Sequence, residues 1–298
     1  MKKAILIAAL CLYAISSFAI MRRDTDTVAR HIKVFDKIQV RQSFQDATEK
    51  EGPAYMMFSI ASSGGSNWLV DGGISARFTP LSSQHGAWKV VGEFHRNTLI
   101  DSVQYNWQAG LNYAYLNPGR SGHLAVSWTG NLKYVRDVQD TTHSIATTVS
   151  WGFYRAGKQL FNIGRPAYTS DFKHTYQFDP SFQIQYQQYL GNDTHRGAVV
   201  RPLICLAASY AWNGKRKKGL APPKLFEVAV DYSHRYAVIN KTRTDEGYSK
   251  LLRAGVNYYF LNAKSSTVSL GLSYNIGSDP MAGLKDQNYS RFALQVQI

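Results

Sequence analysis

Acidic residues are scarce: 20 Asp and Glu stand against 34 Lys and Arg, a formal net charge of +14. Charge of either sign is sparse, at 18% of residues, below the roughly 25% usual in soluble domains. Cysteine is nearly absent. Only Cys11 and Cys205 occur, which excludes a disulfide scaffold. Beyond residue 20 no apolar run approaches the roughly 20 residues that a spanning helix needs, which excludes a helical membrane protein. Metal-ligand spacing is missing as well: His85, His95 and His123 are scattered. Gly64-Gly65 and Gly72-Gly73 read as a turn and a strand kink, not as a phosphate-binding loop. No metal and no cofactor are expected. Disorder is excluded by what is present, since 44% of residues are hydrophobic and 13% aromatic.

The start of the chain sets a compartment. Lys2 and Lys3 precede an apolar stretch from Ala4 to Ile15, and Ser17-Phe18-Ala19 offers a small-x-small cleavage site. Residues 1–19 read as a secretory signal peptide cleaved after Ala19. Cleavage would remove two lysines and Cys11, leaving a charge of +12 (14 − 2) and Cys205 as the single cysteine. Export argues against a nucleic-acid partner despite the basic balance. Residues 20–53 are polar and aromatic-poor, and read as a periplasmic N-terminal segment with a short helix or an extra strand near Lys37 to Phe44.

From residue 54 to 298 apolar residues recur at every second position. Tyr105, Trp107, Ala109, Leu111, Tyr113 and Tyr115 alternate with Asn106, Gln108, Gly110, Asn112 and Ala114. Leu124, Val126, Trp128, Leu132 and Tyr134 alternate with Ser127, Thr129, Asn131 and Lys133. Successive strand side chains point to opposite faces, so each segment carries one apolar and one polar face. About twelve such segments are separated by turn signals such as Asn117-Pro118-Gly119 and Gly277-Ser278-Asp279-Pro280. The first starts at 54 and the last spans 291–298. The connection 156–173 is long enough to hide two more strands, making fourteen.

Many segments are long enough for the roughly 9–11 residues that a tilted strand needs to cross a bilayer. Their polar face is too polar for a sandwich core, and their aromatics gather near segment ends, as interfacial girdles do. The predicted fold is all-β, a transmembrane antiparallel up-and-down β-barrel. The C-terminal run Arg291-Phe292-Ala293-Leu294-Gln295-Val296-Gln297-Ile298 resembles the assembly signal of bacterial outer-membrane barrels. Arg291 and Val296 match the pattern, while Ala293 replaces its glycine and Ile298 its terminal aromatic. The texture of 54–298 is similar to that of small barrels of Bacteroidota-type bacteria. That resemblance implies an outer-membrane location, contact with outer-membrane lipid and lipopolysaccharide, and recognition of the C-terminal strand by barrel-assembly machinery.

Alternation turns Asp71, Glu93, Glu227 and Asp231 inward, together with Arg77, Lys89, Lys133, Arg201, Arg235 and Arg253. Two readings stand side by side: a salt-bridge network that fills a narrow barrel, or a pore biased toward anions. In the second, Arg201, Arg235 and Arg253 on consecutive strands form the cationic patch. The run Lys215-Arg216-Lys217-Lys218 is a candidate contact for anionic lipid, or a solvated turn. An outer-membrane lipase or deacylase is disfavoured. No His-x-Ser pair exists, and Ser233-His234 and His143-Ser144 are adjacent, hence on opposite faces. The leading functional expectation is a passive channel for small solutes with a bias to anions. The alternative is a non-conducting structural or accessory barrel of an envelope or secretion complex.

Overall fold

Long alternating segments fold as long strands. The computed structural model describes residues 35–41, 44, 55–60, 66–83, 85–98, 103–115, 123–155, 163–164, 166–191, 196–216, 221–243, 247–262 and 267–297. The expected signal peptide (residues 1–19), Lys217, Lys218 and Ile298 lie outside them. Among the described residues there is no α-helix, only two single-turn 3₁₀ segments. The strands are β1 (Phe35–Arg41), β2 (Tyr55–Ile60), β3 (Ser66–Phe78), β4 (Gly86–Asn97), β5 (Gln104–Tyr115), β6 (Leu124–Asp137), β7 (Thr142–Arg155), β8 (Ala167–Tyr168), β9 (His174–Tyr189), β10 (Gly197–Asn213), β11 (Lys224–Tyr236), β12 (Ile239–Asn240), β13 (Tyr248–Asn262), β14 (Thr267–Asp279) and β15 (Leu284–Gln297).

All join one antiparallel sheet, ordered β1-β3-β4-β5-β6-β7-β9-β10-β11-β13-β14-β15. Along that path each long strand from β3 onward pairs with the next long strand in the chain, a meander, while the short β2, β8 and β12 pair with β3, β9 and β10. Both β1 and β2 lie on the same edge of β3: β1 beside Gly73 to Phe78, β2 beside Ser66 to Asp71. They form one interrupted edge position, so the wall has the twelve positions that the sequence pattern indicates.

Two boundaries differ from expectation, and one reading left open is decided among the described residues. The sheet begins before residue 54. Phe35–Arg41, inside the segment read as a separate periplasmic extension, is a full sheet strand. Of the two alternatives near Lys37 to Phe44, a short helix or an extra strand, the strand is the one found. The last strand starts at Leu284, not at 291, because the polar stretch Lys285 to Ser290 pairs along β14. The connection 156–173 does not supply two wall strands among its described residues. It contributes β8, two residues against β9, and Ile163, which bridges Arg155 and Phe178.

The faces are inverted relative to a soluble fold. On β6, Ala125, Ser127, Thr129, Asn131 and Lys133 are buried, while Leu124, Trp128 and Leu132 are exposed. Adjacent residues make the contrast: Leu132 is 51% exposed and Lys133 2%. The same holds around the sheet, with Val90, Leu111, Ile184, Leu206, Val230 and Leu272 exposed on the outer face. The polar face is concave. One cavity is lined both by Leu69, Asp71 and His95 of β3–β4 and by Leu251, Arg253 and Tyr289 of β13–β15.

The β14–β15 turn leaves the wall and enters that concavity. The register shifts between Gly277 and Asp279. Gly277 has φ 113°, and a Cβ there would collide with the Lys250 carbonyl. Gly283 ends the turn at φ 67°, against the side chains of Asp137 and Asn106. Both positions combine left-handed backbone with close approach, which glycine alone allows without strain. Replacing Gly277 with Ala should destabilise the fold by about 1–3 kcal/mol. Urea unfolding followed by tryptophan fluorescence measures it. An unchanged midpoint would show that the turn does not need this geometry.

Candidate functional site in the polar interior

Alternation places the inward charges of β3 to β6 on one face, and the folded sheet brings them together. Glu93 and His95 share the inner face of β4, and Asn131 and Lys133 that of β6. Lys133 Nζ donates to Glu93 Oε1 at 2.5 Å. His95 lies between two carboxylates, 2.5 Å from Asp71 and 3.3 Å from Glu93. The backbone N–H of Phe44 donates to Glu93 Oε1 at 2.9 Å. Lys89 Nζ donates to Gln39 Oε1 of β1 at 3.4 Å. Alternating signs let each charge satisfy the next, which a dry interior demands.

A second group surrounds the inserted turn. The carboxylate of Asp279 accepts the N–H of Met281 at 3.1 Å and the Arg235 guanidinium at 2.9 Å. Met281 crosses the interior and packs on Val135 of β6 and Ala146 of β7. The turn's carbonyls are held by β5: Gln104 Nε2 donates to Ala282 O at 2.6 Å, and Gln108 Nε2 to Met281 O at 2.9 Å. Arg201 donates to Gln187 Oε1 at 3.0 Å and reaches the Met281 sulfur at 3.9 Å. Lys285 pairs with Asp140 at 2.9 Å on the exposed side. Above the turn lies a cavity of about 390 Å³, with Asp137, Ser144, Gln187 and Arg201 in its wall.

Below the turn the interior is looser. Inward positions on β9–β11 include Ser181, Cys205, Ala207, Ala229 and Ser233, which leave room. A small cavity of about 70 Å³ there is lined by Gln185, Cys205, Asp231, Arg253 and Asp279. Gln185 is fully buried, and neither polar atom of its amide meets a protein partner. A polar cavity with orphan amide atoms is suited to bound water. Asp231 is exposed although it shares the inner face with buried Arg235, so solvent reaches this level. Cys205 is half-buried and lines the cavity, rather than filling a dry core.

The proposed cationic patch therefore takes another form. Arg201 and Arg235 are 2% and 4% exposed and engaged by the turn and its neighbours. Arg253 stands opposite Asp231 in register. Arg77 is half-buried and donates to Ser83 O at 3.1 Å. Glu227 is tied to Lys224 and Tyr259 near the opposite end. The sequence located these side chains on one face but missed the turn that binds them. The local signal for that turn, Gly277-Ser278-Asp279-Pro280, looks like any surface turn.

Outside, aromatic rings form two bands. One contains Phe78, Trp88, Tyr113, Trp128 and, further round, Tyr176, Tyr210, Trp212 and Phe226. The other contains Phe94, Tyr105, Trp107, Tyr134, Tyr232 and Tyr248. The comparisons add no relative: no protein-family model, curated protein or solved structure matches the chain.

The Glu93–Lys133 pair has side-chain exposures of 0% and 2%. Lys133→Met should destabilise the protein by about 3–5 kcal/mol, because it removes one partner of a buried pair. Glu93→Gln with Lys133→Met should recover part of that loss. A double-mutant cycle by urea unfolding checks it, and strict additivity would mean that the two groups do not interact.

Proposed function

We propose that the chain is a transmembrane β-barrel of a bacterial outer membrane, closed to ions in this conformation, with a structural or accessory role in the envelope. The observation that carries this reading is the inverted polarity of the sheet, polar where buried and apolar where exposed. Lipid tails can cover an apolar outer face that water would not. The strands have lengths to match: β3 to β15, the short β8 and β12 aside, run twelve to seventeen residues. Ring bands six to eight residues apart along a strand, as from Trp88 to Phe94 and from Tyr105 to Tyr113, lie about 20–27 Å apart along it. An outer-membrane apolar band is about 25 Å tall. Twelve positions in a meander leave the edge strands antiparallel, so closure by pairing β15 with β1 and β2 is consistent, and it removes the unpaired edges that lipid does not tolerate.

This favours the non-conducting alternative over an open anion channel, because the β14–β15 turn and its partners occupy the polar face near one end of the strands. Solvent access to Asp231 supports a second reading, a passage for small solutes when that turn swings out. Planar-bilayer recording separates the two. Wild-type protein should show no steady conductance. Asp279→Asn, which weakens both the Arg235 pair and the Met281 anchor, should raise the open probability. A steady wild-type conductance, anion-selective or not, overturns the closed reading.

Two further outcomes test the membrane assignment. Leu132→Arg on the outer face should destabilise the folded, heat-modifiable species by about 2–4 kcal/mol, where a soluble sheet would gain from an exposed charge. Cys205 should react with a charged, membrane-impermeant thiol reagent only from the side of the turns 79–85 and 214–223. Equal labelling from both sides, or none after unfolding is prevented, would contradict a lumen open at that end alone.

A further inference from the structure

The cavity of about 390 Å³ above the β14–β15 turn lies within the roughly 300–1,000 Å³ of small-molecule sites. Two parts of the fold enclose it. Ser278, Pro280 and Leu284 belong to the turn and its flanks, while Thr142, Ser144 and Ser249 belong to the ends of β7 and β13. The turn is held by Gln104, Gln108 and the Arg235–Asp279 pair, so its side of the cavity is formed before any ligand arrives. Lys285 and Asp286 line the cavity and are exposed, so solvent reaches it there.

The charges around the cavity oppose a charged occupant. Its three cations are engaged: Arg235 with Asp279 and Lys285 with Asp140, both at 2.9 Å, and Arg201 with Gln187 at 3.0 Å. Three carboxylates, Asp137, Asp140 and Asp286, line it as well. An anion would meet these carboxylates, and an ammonium ion would meet Arg201, Arg235 and Lys285.

The groups that remain suit hydroxyls. The side chains of Thr142, Ser249, Ser278 and Asp286 have no hydrogen-bond or ion-pair partner among the described residues. Asp137 accepts the N–H groups of Gln139 and Asp140 on Oδ1, and its Oδ2 lies beside Gly283 of the turn. Carboxylates accept from hydroxyls, and the Ser and Thr hydroxyls both donate and accept. Val135, Ala237, Pro280, Leu284 and Tyr189 give the same cavity an apolar share of its lining. A sugar presents both characters, with hydroxyls around its rim and C–H groups on its faces.

We infer that this cavity binds a neutral polyhydroxylated solute, a small saccharide, with hydroxyls on Asp137, Asp286, Thr142 and Ser249 and its C–H face on the apolar lining. The inference goes beyond the structural reading of the barrel and needs only the folded sheet.

The test is isothermal titration calorimetry of the full chain in detergent. Glucose and maltose are the probes, with glucuronate and glucosamine as charged counterparts. Far-UV circular dichroism shows which variants keep the sheet. Glucose or maltose should bind at a single site. Asp286→Ala removes an exposed carboxylate and should weaken binding roughly tenfold. Ser249→Phe and Thr142→Phe fill the cavity from β13 and from β7, and each should abolish binding while the sheet persists. Absence of binding by both neutral sugars overturns the inference. So does binding that survives either filling variant in a folded chain. Tighter binding of glucuronate or glucosamine than of glucose overturns the neutral class.

Discussion

Glu93 has no solvent to share its charge. Its side chain is fully buried, and Lys133, His95 and the Phe44 N–H surround it. A carboxylate in that position stands only if its partners are fixed, and each partner must be satisfied in turn. The same demand recurs through the interior. It draws β1 against β4 through Gln39 and Lys89, and residue 44 inward onto Glu93. It pulls the β14–β15 turn off the wall until Asp279 meets Arg235. The polar face is thus organised by mutual compensation of charge, while the apolar face is left to its surroundings.

That division explains how the turn is held inside the concavity. Asp279 is both the cap of the turn and the counter-ion of Arg235, so one carboxylate joins local geometry to the wall. Met281 adds an apolar contact across the interior, against Val135 and Ala146. Gln104 and Gln108 hold the carbonyls that a turn inside a protein would otherwise leave bare. On the other side of the turn small residues keep the space open. The interior is therefore filled at one level and hydrated at another.

Much of the sheet could be read from residue order. Period-two alternation needs no tertiary information, so the inward set from Asp71 to Arg253 and the outward aromatics followed directly. Strands lacking that signal were harder. Phe35–Arg41 is short and polar and is a strand because β3 offers it an edge. Lys285 to Ser290 reads as loop and is a strand because β14 runs alongside. Pairing with a neighbour supplies stability that the segment's own composition does not.

The sequence by itself determined the all-β character, the twelve-position rhythm, the sidedness of each strand and the location of the charges on one face. These depend on nearest-neighbour geometry, which is fixed by the two-residue period of an extended chain. Tertiary structure alone decided which charges meet, that Gly277 to Gly283 turns inward, and that Phe172 lies beneath Arg216 of the basic run 215–218. Those contacts join residues up to 178 positions apart, as Gln104 and Ala282 are. No local pattern encodes them, because they exist only once the curvature of the sheet has brought its distant strands face to face.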